Sequence, residues 1–229
     1  PQLKTKGHVE RGYIGINIED LRPQLARSFD LDESIKAPVV TNVLKGGPSD
    51  LGGVKAYDVI LEINDKKVKD TLDLVNTITN ISPGDKAKLK VLRQGKEKTL
   101  QVTIAKRPTD QEAKTSKKEG SSKGRKQRRP EVDPGLELEP LDDEIRKELG
   151  LSSGSNGVVV SQIAFGGPAD KAGLQRGDVV LEVDRKPVKN PDGFYSFIRE
   201  KKTYLLRVRR MDAQGREGFA VLTLNLTGT

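Results

Sequence analysis

A chain of 229 residues with no Cys and a single His excludes a disulfide framework, thiol catalysis and cysteine-based zinc sites, and leaves the redox compartment open. No apolar run approaches the length of a membrane span, and no segment has the pattern of a signal peptide. The net charge of +8 is uneven: residues 1–105 carry +3, residues 106–130 carry +7 and residues 131–229 carry −2, so the basic character belongs to one internal stretch.

In chain order, residues 1–9 read as a polar lead segment containing His8. Because the sequence starts at Pro1 rather than Met, it is expected to be an excised piece or a mature product. Alternating Ile14, Ile16 and Ile18 predict a half-buried strand. Leu21 to Leu31 reads as a short helix with Leu25 and Phe29 inward, and Val39 to Leu44 as a buried strand. Pro48 suits the first turn of a short helix, which Gly53 ends. Val59 to Ile63 is the next strand, and Leu72 to Ile81 an amphipathic helix stopped by Pro83-Gly84. Lys86 to Arg93 and Glu97 to Ala105 form a closing hairpin turned at Gln94-Gly95.

Residues 106–131 are poor in apolar side chains and rich in Lys, Ser and Gly. Such a segment buries too little to order itself, and is expected to be a disordered linker. Its basic cluster from Lys123 to Arg129 suits a polyanion, but holds no aromatic residue to stack on bases. A solvated spacer is therefore the preferred reading over a nucleic-acid site.

The order of elements then recurs. Leu136 to Glu139, Val158 to Ile163 and Val179 to Val183 are the strands, Asp142 to Leu149 and Pro191 to Glu200 the helices, and Tyr204 to Arg210 with Glu217 to Leu226 the last hairpin. The recurrence is also literal. Residues 37–78 align without a gap on 157–198, with 15 of 42 positions identical. Gly46-Gly47-Pro48-Ser49-Asp50 matches Gly166-Gly167-Pro168-Ala169-Asp170, and Asp58-Val59-Ile60-Leu61-Glu62 matches Asp178-Val179-Val180-Leu181-Glu182. A repeat of this length is longer than a solenoid unit and about the size of a small domain. The chain therefore divides into residues 10–105 and 132–229, each an α+β module, mainly β, with short strands in a small, partly open barrel flanked by short helices.

No catalytic constellation accompanies these modules. His8 lies in the lead segment, away from any expected cleft, and no Gly-x-Ser-x-Gly elbow exists. One His and no Cys give no metal site, and no cofactor is expected. Glu62 and Glu182 read as solvent-facing strand residues.

Arg11-Gly12-Tyr13-Ile14-Gly15-Ile16, the Gly-Gly-Pro-Ser/Ala-Asp helix start, Gly177-Asp178-Val179-Val180-Leu181-Glu182 and the late amphipathic helix together resemble PDZ domains in the bacterial permuted form. The tandem, with Gly7 to Tyr13 at its start, resembles the C-terminal half of an HtrA/Deg-type serine protease. The resemblance implies an intact, ATP-independent endopeptidase of the periplasm or cell envelope that handles unfolded proteins and assembles into homo-oligomers through a protease domain lacking here. This fragment is then expected to be mostly monomeric and to bind unfolded proteins or peptide C-termini, without specific nucleic acid and without a membrane span. A stand-alone PDZ scaffold and a polyanion-binding adaptor acting through the linker are the alternatives.

PDZ domains add an extended peptide C-terminus as a strand, and a nest of backbone N–H groups receives the carboxylate. On this chain the resemblance puts donors at Ile14, Gly15 and Ile16, the pairing strand at Ile16-Asn17-Ile18, and pocket residues at Val75 and Ile78. Tyr13 belongs to the same loop, and Arg11 reads either as an ordinary exposed arginine, the default, or as a source of long-range attraction for the carboxylate. Core packing is the competing account of Val75 and Ile78. The family pattern has Gly-Asp before the central strand, where the first module has Tyr57-Asp58; a positive φ at Tyr57 would cost ~1 kcal/mol.

The same offset puts Asp133 and Pro134 where the first module has Tyr13 and Ile14, and Gly135 where it has Gly15. Proline has no N–H, and Asp133 brings a negative charge. The second module is therefore expected to be a poor carboxylate receptor that keeps an apolar groove at Leu136, Leu138, Tyr195 and Ile198.

Overall fold

The structure, a computed structural model, describes residues 12–106, 133–148, 151, 156–199, 202–212 and 214–226. His8, Arg11 and, apart from Lys106, the expected linker with its basic cluster lie outside the described residues. The chain forms two compact units that divide between Lys114 and Thr115.

The first unit runs β1 (Gly12–Tyr13), β2 (Ile16–Asp20), α1 (Pro23–Ser28), β3 (Pro38–Val43), α2 (Pro48–Leu51), β4 (Val59–Ile63), β5 (Lys66–Lys67), α3 (Thr71–Thr79), β6 (Lys86–Arg93), β7 (Lys96–Thr103) and β8 (Ala105–Lys106). Its main sheet has the order β2-β3-β4-β6-β7, with β5 against β4, and β1 pairs separately with β8. Lys106 thus belongs to a strand, opposite Gly12, rather than to the linker. Val40, Ile60, Ile63, Leu74, Leu89, Val91 and Ile104 fill the core.

The predicted helices shift at their ends: the first begins at Pro23 and ends at Ser28, the third begins one residue earlier than predicted and ends at Thr79, and the late helix of the second module ends at Phe197. The N–H of Leu21 donates to Ala37 O at 3.0 Å, which holds it to the sheet, so α1 starts only at Pro23. For α3, Asp70 is the N-cap and accepts from the N–H of Asp73 at 2.7 Å. That satisfies one of the donors left over at a helix start.

The second unit runs β9 (Leu136–Pro140), α4 (Asp143–Glu148), β10 (Val158–Ile163), α5 (Pro168–Lys171), β11 (Val179–Val183), β12 (Lys186–Pro187), α6 (Pro191–Phe197), β13 (Thr203–Met211) and β14 (Glu217–Asn225). Its sheet order is β14-β13-β11-β10-β9, with β12 against β11. Val158, Val160, Val180, Phe194, Tyr204, Leu206 and Leu224 form its core. Both units are mainly β with a few short helices. Their sheets are open, and none closes into a barrel among the described residues.

The sequence repeat has a physical basis at each of its motifs. In Gly-Gly-Pro-x-Asp, the Asp50 carboxylate accepts from Gly46 N–H at 2.8 Å, and Asp170 does the same for Gly166. Both glycines have φ near +70°, where a Cβ is disfavoured. The aspartate before the central strand is buried and clamped by arginine. Asp58 accepts from Arg93 Nε at 2.6 Å and Nη2 at 2.7 Å, and Arg93 also donates to Gly53 O. Asp178, Arg210 and Gly173 O repeat this arrangement. The bidentate carboxylate raises the pKa of both guanidinium groups. The two glutamates read as solvent-facing are ion-paired instead: Glu62 with Lys90 and Glu182 with Arg207, across neighbouring strands.

Tyr57 does adopt a positive φ of 72°, where the second unit has Gly177 at 87°. Its ring is buried and meets Phe29 edge-on at 6.3 Å.

Candidate functional site

β2 ends its sheet, so one side of it has no partner strand among the described residues. The direction of its groups follows from the pairing. Leu44 N–H donates to Gly15 O at 2.9 Å, outside the Ile16–Val43 pair. Ile16 therefore sits in a non-hydrogen-bonded pair, and its own N–H and C=O point to the open edge. At the other end, Pro38 has no N–H and Leu21 N–H donates to Ala37 O, so Asp20 opposite Pro38 also points outward. One irregularity between Asn17 and Ile18 keeps the alternation, and Ile18 faces outward as well. The N–H of Gly15, at φ +74°, donates to no group among the described residues. The edge thus presents Gly15 N–H followed by both polar groups of Ile16 and Ile18, which is the donor–acceptor row an antiparallel strand requires.

α3 lies alongside this edge and runs opposite to β2, and it is fixed at both ends. At its start, Thr71 N–H donates to Asp20 Oδ1 at 2.7 Å. At its end, Gly12 sits so close that an added Cβ would lie 2.2 Å from Ile78 O and 2.7 Å from Ile81 O. The spacing of β2 and α3 is therefore held by a side-chain carboxylate at the Asp20 end and by close backbone approach at the Gly12 end, and the gap has the Gly15 end and the Asp20 end as its two mouths.

The expected residues fall as follows. Tyr13 is half-buried and paired with Ala105 in the small β1–β8 sheet. Ile14 is a core residue whose carbonyl accepts from Ser49 N–H. Ile16 and Ile18 are partly buried and pack on the core from the edge strand. Asn17 pairs with Asn42 on β3, where the two side chains hydrogen-bond at 3.3 Å. Ile78 belongs to the core, whereas Val75 is 45% exposed beside it on α3. Sequence reasoning missed Asp20, Thr71 and Leu44. The last is half-exposed and adjoins Gly15, 3.5 Å from where a Cβ there would lie.

In the second unit β9 is likewise the edge strand. Ala164 N–H donates to Gly135 O at 2.9 Å, so Leu136 faces outward as Ile16 does. Leu138 is partly buried against the core, while Leu136 and Ile198 are core residues. Tyr195 reaches from α6 and donates from its hydroxyl to Leu136 O at 3.2 Å. Asp133 Oδ1 accepts from Gly135 N–H at 2.9 Å.

Among the described residues, no cluster of three His, Cys, Asp or Glu is placed to hold a metal ion. No described helix is long and apolar enough to cross a membrane.

The PDZ domain family matches residues 12–104 and again residues 159–210. A protein of Ectopseudomonas mendocina named as a probable periplasmic serine endoprotease, DegP-like, is 34% identical over 226 residues, or 97% of this chain and 45% of that protein. Relatives of the same name in Hahella chejuensis and Chlamydia trachomatis are 32% and 30% identical, with 98% and 88% of this chain and 46% and 37% of theirs covered. The chain spans less than half the length of these relatives. Among solved structures, the HtrA-type protease AlgW with a decapeptide aligns at 33% identity and a TM-score of 0.44, over 47% of this chain and 33% of that one. The serine endoprotease from Yersinia pestis aligns at 26% identity and a TM-score of 0.37, over 47% and 33%. The chain belongs to the PDZ family, as two PDZ domains in tandem that are homologous to the DegP-like proteases of the HtrA family.

Proposed function

We propose that the first module captures the free C-terminus of an extended peptide by strand addition along β2, as the recognition segment of a periplasmic HtrA/DegP-like serine endopeptidase. The observation that carries this reading is the row of outward backbone groups at Ile16 and Ile18, headed by the N–H of Gly15, which has no acceptor among the described residues. A strand antiparallel to β2 ends at the Gly15 mouth, so its terminal carboxylate meets the N–H groups of Gly15 and Ile16. Its last side chain then lies against Val75 and Ile78, and its next outward partner is Ile18. The names of the relatives support the periplasmic location and the protease activity of the intact protein.

Binding is expected to be on the order of micromolar, because a short strand must order a flexible peptide. Titrating an apolar-ended pentapeptide as the free acid and as the C-terminal amide tests it. Amidation removes charge-assisted hydrogen bonds worth about 1.5–3 kcal/mol, so affinity should fall roughly ten- to a hundredfold. Equal binding of the two peptides would remove the carboxylate from the account. Sedimentation velocity of this fragment should give a monomer.

A further inference from the structure

The two grooves differ in what their own chain has already done with the polar groups of the edge strand. In the first module the helix is tied to the edge strand at the far mouth, by Asp20 and the N–H of Thr71. At the offset of 120 these positions are Pro140 and Pro191. One has no carboxylate and the other no N–H, so both halves of that tie are gone. The second module instead ties helix to strand inside the groove, through the Tyr195 hydroxyl on Leu136 O. The Tyr195 ring is braced edge-on by Phe194 at 5.5 Å. The position of Tyr195 corresponds to Val75, a side chain with no hydrogen-bonding group.

The nest is spent in the same way. Pro134 offers no donor, and the N–H of Gly135 is given to the Asp133 carboxylate. Asp133 is thus an intramolecular carboxylate on the very donor that a peptide carboxylate would use. Among the described residues, the outward N–H of Leu136 is the one group at the head of the edge with no such claim on it, and its carbonyl is taken.

We propose that Asp133 and Tyr195 are specificity-determining residues that close the second groove to free peptide C-termini, Asp133 by occupying the Gly135 donor and Tyr195 by occupying the first strand acceptor. The proposal rests on the reading of the first module as a carboxylate receptor, because it takes that groove as the open reference.

The test uses the full chain, labelled with nitrogen-15, titrated with an apolar-ended pentapeptide as free acid and as amide. The amide signals of Gly15 and Gly135 report the two nests separately. In the unmodified protein Gly15 should shift with the free acid, while Gly135 stays in place at peptide concentrations that saturate Gly15. The triple variant Asp133→Tyr, Pro134→Ile, Tyr195→Val installs the residues of the first module, and its Gly135 signal should then shift with the free acid only. If that variant loses its dispersed spectrum, the milder pair Asp133→Ala, Tyr195→Phe removes just the competing acceptor and donor. Gly135 in it should respond to the free acid at least tenfold more strongly than in the unmodified protein. A carboxylate-dependent shift of Gly135 in the unmodified chain equal to that of Gly15 would overturn the proposal. So would a folded variant, of either kind, whose Gly135 ignores the free acid. A silent Gly15 alongside a responsive Gly135 in the variants would sink the reading of the first module and leave this one standing.

Discussion

Replacing Tyr57 separates two opposed contributions at one position. The backbone there has φ 72°, and a left-handed conformation costs an L-residue roughly 1–2 kcal/mol. The ring offsets this, because it is only 7% exposed and packs edge-on against Phe29. Removing a buried aromatic ring costs about 3–5 kcal/mol. Tyr57→Gly relieves the backbone strain but adds about 0.5–1 kcal/mol of chain entropy to the unfolded state. The net loss should be about 2–4 kcal/mol. Tyr57→Ala loses the ring and keeps the strain, so it should be worse than glycine by about 1 kcal/mol. Urea unfolding followed by circular dichroism, with amide exchange assigning the transition to the first module, gives both values. A glycine variant as stable as the parent would mean that the ring contributes no more than the strain relief left after the entropy cost, about 1 kcal/mol. An alanine variant more stable than the glycine one would remove the strain from the account.

Four further outcomes are expected. Asp58→Ala leaves Arg93 with no carboxylate in a largely buried site and should cost about 3–5 kcal/mol by denaturant unfolding, with Asp178→Ala doing the same to the second module. Gly15→Ala meets its nearest atoms at 3.4–3.7 Å, so the fold should survive with about 1 kcal/mol of φ strain, and titration with the free-acid peptide should show weaker binding. Gly12→Ala has no room below Ile78 O and Ile81 O; it should displace the end of α3, and the amide signals of residues 78–81 should move with a loss of peptide affinity. Asp212 is held below the usual carboxylate range chiefly by the N–H of Arg216, with Gln214 N–H and the Arg216 guanidinium adding to it. Its contribution is therefore complete above about pH 4 and lost as pH falls through its lowered value, so amide exchange at Arg216 should accelerate there relative to the residues of β14.

Most of the architecture was readable because the chain repeats its turn chemistry. The glycines at 46 and 166, the prolines that open α2 and α5, and the aspartates before β4 and β11 all recur at one offset. The arginines that clamp those aspartates were not readable. Arg93 and Arg210 are 117 positions apart, outside the aligned block, and nothing in either hairpin marks one arginine among several basic residues. The Asp20–Thr71 tie joins residues 51 apart and follows from no local pattern. Loss of the Pro134 donor was visible in the sequence because proline carries its own physics. The Tyr195 hydroxyl bond was not, since a tyrosine at an amphipathic position is also ordinary core. Val75 and Ile78 lie three positions apart on one helix, and spacing alone assigned neither; only burial separates the exposed valine from the core isoleucine.

α3 is held by Asp20 at one end, by the close approach of Gly12 at the other and by the core side chains Leu74 and Ile78 between them, whereas Val75 stands 45% exposed outside that packing. On the proposed reading, substitution at Val75 should change which terminal residue the first module prefers without altering how far apart strand and helix stand. Ligand preference would then drift over evolutionary time while the proposed backbone reading head stays constant. The second module, with proline at both positions of the Asp20–Thr71 tie, has no such independence: the residue proposed to govern entry is also the one that joins helix to strand.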